Sequence, residues 1–163
     1  MKKLAVLPIL LSLLLLTACH GQRYGILSYQ EKEIFAECLL NGEYKIAITK
    51  NGDEKTVAFL EPKELSTVYF KENGGKITAF GENLEIPFES GDIAGVSAIL
   101  YMFSLEESNL VSATSIGESA CMEFTSSHGS YKITIGKNDL PKRIEILSEA
   151  YEFDIVIEAM RLN

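Results

Sequence analysis

The sequence predicts an α+β fold that is mostly β: a curved antiparallel sheet of about ten strands, covered by one apolar helix near residues 93–105. Two observations carry this prediction. From Ile34 onward, short runs alternate apolar with polar residues and are punctuated by turn-forming pairs such as Asn41-Gly42 and Gly74-Gly75. A single stretch interrupts them, the 13 residues from Ile93 to Leu105, which carry no charge at all.

The chain begins with Lys2 and Lys3 ahead of an uncharged run from Leu4 to Leu16, the n- and h-regions of a secretory leader. That run is too short for a comfortable membrane span, which takes about 20 apolar residues. Leu16-Thr17-Ala18-Cys19 resembles a bacterial lipobox: a branched apolar residue, two small ones, and a cysteine that is lipidated before cleavage in front of it. Residues 1–18 are therefore expected to be a lipoprotein signal peptide, and residues 19–33 a lipid anchor with a short tether. Two or three palmitate-like chains on Cys19, each buried methylene contributing about 0.8 kcal/mol, would hold the protein on the extracytoplasmic face of a bacterial membrane. An ordinary cleaved signal and an uncleaved N-terminal anchor are the alternatives.

Full-length, the chain has 163 residues and a formal charge of −8, with 15 Lys plus Arg against 23 Asp plus Glu. Removing residues 1–18 takes away Lys2 and Lys3 and no acid, so 13 basic residues face 23 acidic ones and the charge becomes −10. Such a domain is poorly suited to phosphate backbones, and no nucleic-acid partner is expected. The remaining 145 residues suffice for one domain, placed at 34–163.

Within it, IFAECLL, Asn41-Gly42 and EYKIAIT read as a hairpin, because Asn-Gly supplies the positive φ angles of a tight turn. A turn at Asn51-Gly52-Asp53 leads into KTVAFLEP, which Pro62 closes for want of an N–H. STVYFKENGGKITAF forms the next hairpin, and Leu84 to Phe88 a short strand after Gly81. The uncharged stretch follows, with Asp92 as its expected N-cap. Ile93, Val96, Leu100 and Phe103 mark one helical face while Ile99, Tyr101 and Met102 lie elsewhere, so the helix should be buried on more than one side. Beyond it, NLVSATSI, ESACMEFTSS, SYKITIGK, KRIEILSE and YEFDIVIEA continue the sheet.

Motifs of catalysis are missing from this sequence. It contains no HExxH, CxxC, Walker-type glycine loop or GxSxG. Of its 2 histidines, His20 follows the anchor and His128 sits in SSHGS, a loop pattern. Acid pairs such as Glu31 with Glu33, or Glu106 with Glu107, lie in charged surroundings rather than a cleft with shifted pKa values. The chain is therefore expected to be non-enzymatic, with no catalytic residue, metal or cofactor. Cys38 and Cys121, outside the cytoplasm, either form a disulfide across 82 intervening residues or serve as small buried hydrophobes.

The order of these elements resembles the bacterial LolA/LppX-like lipoprotein group. It does so through the lipobox, Phe59-Leu60-Glu61-Pro62, Ile86-Pro87-Phe88 before an apolar helix, and Leu140-Pro141-Lys142-Arg143-Ile144 opening a late hairpin. That resemblance, over about residues 34–157, implies a half-open β-barrel closed by helices and a propensity for apolar ligands. It departs from the group in carrying an anchor, unlike the soluble carrier, and in showing one clear helix. The site expected on this reading lies between sheet and helix, with Phe59, Tyr69, Phe80, Phe88, Val96, Leu100 and Phe103 as its candidate lining, and takes a lipid or other apolar ligand. The competing reading is a solid-core accessory or sensor lipoprotein that binds an envelope protein partner.

Overall fold

The computed structural model describes residues 27–89, 91–117 and 119–163. The signal peptide, the lipobox and Cys19 lie outside the described residues. Eleven antiparallel strands form one curved, unclosed sheet: β1 (Ile34–Leu40), β2 (Tyr44–Asn51), β3 (Glu54–Glu61), β4 (Tyr69–Asn73), β5 (Lys76–Phe80) and β6 (Glu85–Phe88), then β7 (Leu110–Ile116), β8 (Ser119–Ser126), β9 (Gly129–Ile135), β10 (Pro141–Leu147) and β11 (Glu152–Leu162). Their order across the sheet is β6-β5-β4-β3-β2-β1-β11-β10-β9-β8-β7. Two meanders thus run outward from the central β1–β11 pair, and the chain passes from one edge to the other through residues 89–109. That crossing contains the helix α1 (Ala94–Tyr101).

Turn chemistry explains the meanders. Asn41 (φ 52°) and Gly42 (φ 71°) both adopt positive φ, as do Gly74 (φ 58°) and Gly75 (φ 81°). Asn41 is also fastened to the central strand, its amide donating to the Asp154 carbonyl (2.7 Å) and its Oδ1 accepting from the Asp154 amide (2.8 Å). Curvature comes from register shifts at Glu37/Cys38 against β11, Lys45/Ile46 against β3, Pro141/Arg143 against β9 and Leu110/Ser112 against β8. Bulges of this kind bend a strand and increase its twist.

Alternation sorts the two faces. Ile34, Ala36, Cys38, Ile46, Ile48, Met122, Ile133, Ile144 and Ile155 form one buried cluster, which also takes in Ala98, Ile99 and Leu100 of α1 and Met102, Phe103 and Leu105 beyond it. The opposite face carries cross-strand ion pairs, among them Arg143 with Asp154 (2.7 Å) and Lys132 with Glu145 (3.2 Å). Exposed pairs of this sort add little stability, but they discourage register slips.

Three expectations change. The helix spans 8 residues rather than the whole of 93–105; its last turn tightens as the Met102 amide donates to the Ile99 carbonyl, and Phe103 and Leu105 enter the core from non-helical backbone. Asp92 does not cap it: Ile93 is the N-cap, and the Asp92 carboxylate instead accepts from the Glu89 amide (3.3 Å). The tether expected to run to residue 33 is shorter, because Ser28–Glu31 forms a 3-10 turn in which Tyr29 is 1% exposed. The folded part therefore takes in residues before Ile34, from Leu27 onward among the described residues.

The sequence leaves the disulfide open. Both cysteines are free. Cys38 faces the core from β1, whereas Cys121, paired with Thr134 between the inward-facing Ala120 and Met122, points to the other face of β8. Three strands separate β1 from β8, about 19 Å at ordinary strand spacing, and a bridge needs Cα atoms within about 7 Å. Burial, assisted by Glu158 and Glu37, pushes the Cys38 thiol up to about 12.

One glycine is required by geometry. Gly129 opens β9 at φ +126°, and a Cβ there would lie 2.7 Å from the Leu147 carbonyl oxygen of the neighbouring strand. Gly129→Ala is expected to cost about 1–3 kcal/mol. Thermal denaturation checks this; an unchanged midpoint would contradict the tight β9–β10 approach.

Candidate functional site

Four of the seven residues expected to form an apolar lining meet. Leu100 and Phe103 are each 1% exposed within the buried cluster, and Phe59 and Val96 pack against it half-buried. The Phe103 ring meets the edge of Tyr29 at 6.3 Å between centroids. The Tyr131 hydroxyl donates to the Ala98 carbonyl (3.1 Å), and Gly95 lets the first turn of α1 come up to Phe153, whose ring a Cβ at that position would meet at 3.0 Å.

The other three lie apart. Tyr69 and Phe80 stack on each other at 4.7 Å, but Tyr69 pairs with Ala58 while its neighbour Phe70, paired with Val57, is the residue that packs on the core. Tyr69 and Phe80 therefore point to the opposite face. Phe88 pairs with Ile77 and so shares the inward face, yet it sits half-buried at the end of edge strand β6. Adjacent aromatics in TVYFK leave the phase of that strand undecided in the sequence, since either could be the inward one.

Beside the packed region lies an open cleft of about 820 Å³. Leu27, Phe103 and Leu105 supply its apolar floor, and Gln30, Lys50 and Lys55 stand on its walls. The strands dictate this placement: Ile46, Ile48 and Lys50 alternate along β2, as do Lys55, Val57 and Phe59 along β3, so both lysines occupy inward positions. Lys50 and Lys55 are register partners, and Lys55 is matched by Glu72 on β4 (3.0 Å). Lys50 donates to the backbone carbonyl of Gln30 and, among the described residues, has no carboxylate within ion-pair distance. Burial and the Lys55 charge hold its ammonium below the usual value, with Asp53 and Glu31 opposing more weakly. Gln30 is 7% exposed, and its Nε2 and the hydroxyl of Tyr29, though neighbours, have no partner in hydrogen-bond geometry among the described residues. Burial pushes the Tyr29 hydroxyl up to about 12, with the Gln30 amide opposing.

His128 belongs to a separate aromatic group, its ring 4.6 Å from that of Tyr101 and its carbonyl accepting from the Tyr151 hydroxyl. Burial lowers its pKa, with weaker effects from Glu72 and Lys55. The unfolded chain therefore binds a proton more readily than the folded one between the lowered value and about 6.5, and stability falls as pH drops through that window. His128→Gln is expected to lose less thermal stability than the wild type between pH 7.5 and 5.5; an equal loss would contradict a half-buried neutral imidazole. Among the described residues no group of three or more His, Cys, Asp and Glu side chains could hold a metal ion, and no helix is long and apolar enough to cross a membrane.

No family model matches the chain, and no curated protein matches it. Solved structures do. An uncharacterized conserved protein from Thermus thermophilus is similar in structure at a TM-score of 0.51 and 14% identity, over 85% of each chain. A LolA superfamily protein from Nitrosomonas europaea is similar at a TM-score of 0.41 and 11% identity, over 85% of this chain and 92% of that one. The likeness to the Thermus protein is one of fold and assigns no residue a role.

Sequence reasoning misses the cleft because Tyr29 and Gln30 fall within the expected tether and the lysines flank turns. One signal does point to it: in KIAITKNGDEKTVAF a lysine stands at an inward position on each arm of the hairpin. A charge in the apolar phase of a strand needs a partner or a ligand.

Proposed function

We propose that this chain is a membrane-anchored, non-enzymatic lipoprotein that binds a lipid or similar amphiphile where the sheet meets the segment following α1. The observation that carries the reading is the open cleft, whose floor of Leu27, Phe103 and Leu105 runs into the buried cluster. A concave site with an apolar floor and a few polar groups is the usual form of a small-ligand site. The helix contributes no residue to the cleft lining: at 8 residues it is about 12 Å long, while eleven strands span about 48 Å, so much of the inward face is left to other segments. The anchor fits this use. Seven residues lie between Cys19 and Leu27, a span of at most about 29 Å of extended chain, which keeps the cleft close to its bilayer.

Fluorescence of a hydrophobic naphthylamine probe tests the reading. Emission should rise on binding and be displaced by short-chain diacylglycerol. Leu27→Glu, on the half-buried floor, is expected to abolish the rise, and Val111→Glu, at an exposed position on β7, to leave it unchanged. Equal signals from both variants would count against the cleft.

A second reading, an interaction module with a solid core, draws on two observations. Leu100 and Phe103 are tightly packed, and Leu60, Tyr69, Leu84 and Ile86 toward the β6 edge are exposed. It predicts a stoichiometric envelope protein that co-purifies with the wild type and is lost in Ile86→Lys.

A further inference from the structure

We propose that the cleft recognises the headgroup of a zwitterionic phospholipid, with phosphate oxygens on Lys50 Nζ and Gln30 Nε2 and the ammonium among the carboxylates of the rim. This rests on the cleft being an amphiphile site and adds the chemistry of what it selects.

Donors stand on the walls. Lys50 and Lys55 face each other across β2 and β3, an arrangement in which like charges oppose folding unless matched. Glu72 matches Lys55 at 3.0 Å, while Lys50 donates to the neutral carbonyl of Gln30 and, among the described residues, has no carboxylate within ion-pair distance, Asp53 and Glu31 acting on it only from farther away. The Gln30 side chain, more than nine-tenths buried and on the cleft wall, leaves Nε2 without an acceptor. An ammonium without a direct ion pair and an amide donor without an acceptor in hydrogen-bond geometry, side by side on the cleft wall, suit one group that is anionic and rich in acceptor oxygens. A phosphodiester meets both needs.

Acids stand on the rim. Glu31, Asp53, Glu106 and Glu107 also line the cleft, and all four are exposed. With Glu72 balanced by Lys55, these four carboxylates outnumber the single cation left at Lys50. They disfavour a ligand of net negative charge and favour one whose phosphate is followed by a cationic group. The apolar floor of Leu27, Phe103 and Leu105 then receives the start of the acyl chains.

The test uses the mature chain, residues 19–163, with Cys19→Ser so that no acyl chain is attached. Calorimetry with dihexanoyl-phosphatidylethanolamine, dihexanoyl-phosphatidylglycerol, dihexanoylglycerol and free phosphoethanolamine should rank the zwitterionic lipid tightest. The anionic lipid is expected to bind about tenfold more weakly at low salt, a gap that closes as salt screens the rim. Lys50→Met should weaken the zwitterionic lipid about ten- to hundredfold and leave dihexanoylglycerol unchanged. Gln30→Met should act in the same direction without lowering the melting temperature, since it removes an unpaired buried donor. The double variant Glu106→Gln with Glu107→Gln should narrow the preference for the zwitterion.

Equal affinities for the zwitterionic lipid and dihexanoylglycerol, or no effect of Lys50→Met, would overturn the headgroup assignment and leave the amphiphile reading standing. Free phosphoethanolamine binding as tightly as the lipid would overturn the lipid source. No binding by any of the four would bring down both readings together.

Discussion

Wild-type protein produced in a bacterial host is expected to partition wholly into the membrane fraction, resist high-salt washing and leave only with detergent. Residues 19–163 with Cys19→Ser, exported behind an ordinary cleavable signal, should be wholly soluble. The argument is one of burial: a single acyl chain binds a bilayer marginally, but two or three on one cysteine hold it stably. Labelled palmitate should enter the wild type and not a Cys19→Ala chain, which should also retain residues 1–18, because lipidation precedes cleavage. A wild type that is salt-extractable and unlabelled would overturn the lipobox reading of Leu16 to Cys19 and with it the location at a bacterial membrane.

Phe103→Ala is expected to have the largest effect on stability among single truncations near the cleft. The ring is 1% exposed, meets Tyr29 edge-on at 6.3 Å and joins the helix segment to the sheet within one buried cluster. Truncating a buried Phe costs about 3–5 kcal/mol, which for a chain of this size lowers the melting temperature by roughly 10–20 °C. Tyr69→Ala removes a ring of similar size that is 37% exposed and stacked only on Phe80. It should cost about 1 kcal/mol. Similar losses in the two variants would contradict the placement of Tyr69 and Phe103 on opposite sides of the sheet. Leu100→Asp, which buries a carboxylate at a position 1% exposed, should fail to fold.

The strands were legible because their turns are chemical. Asn41-Gly42 and Gly74-Gly75 need positive φ, and alternation in YKIAIT fixes which side faces the core. An apolar segment buried all round was legible at 93–105 because it lacks any charge. Its boundaries were not, because the same apolar residues continue past Tyr101 on backbone that is no longer helical. The cysteine pairing was undecidable for a similar reason. Faces follow from alternation, but the distance between β1 and β8 depends on β11 lying beside β1, a pairing between residues over a hundred positions apart that no local pattern records.

Site residues divided in the same way. Phe59, Val96, Leu100 and Phe103 came from segments whose phase or apolarity was unambiguous, and they meet in the structure. Tyr69 and Phe80 came from strands with adjacent aromatics or mixed flanks, where a one-residue change of phase moves the side chain to the other face. The cleft depends on the 3-10 turn at Ser28–Glu31 approaching the β2–β3 hairpin, and the polar text around Tyr29 gave no hint that this tyrosine is buried.

Bound lipid is the central claim, and native mass spectrometry of the mature chain carrying Cys19→Ser measures it most directly. With no covalent acyl chain present, incubation with a bacterial lipid extract should add the mass of one lipid per chain, and Leu27→Glu should return the bare mass. A bare wild-type mass after that incubation would contradict the account and leave the apolar segment as core alone.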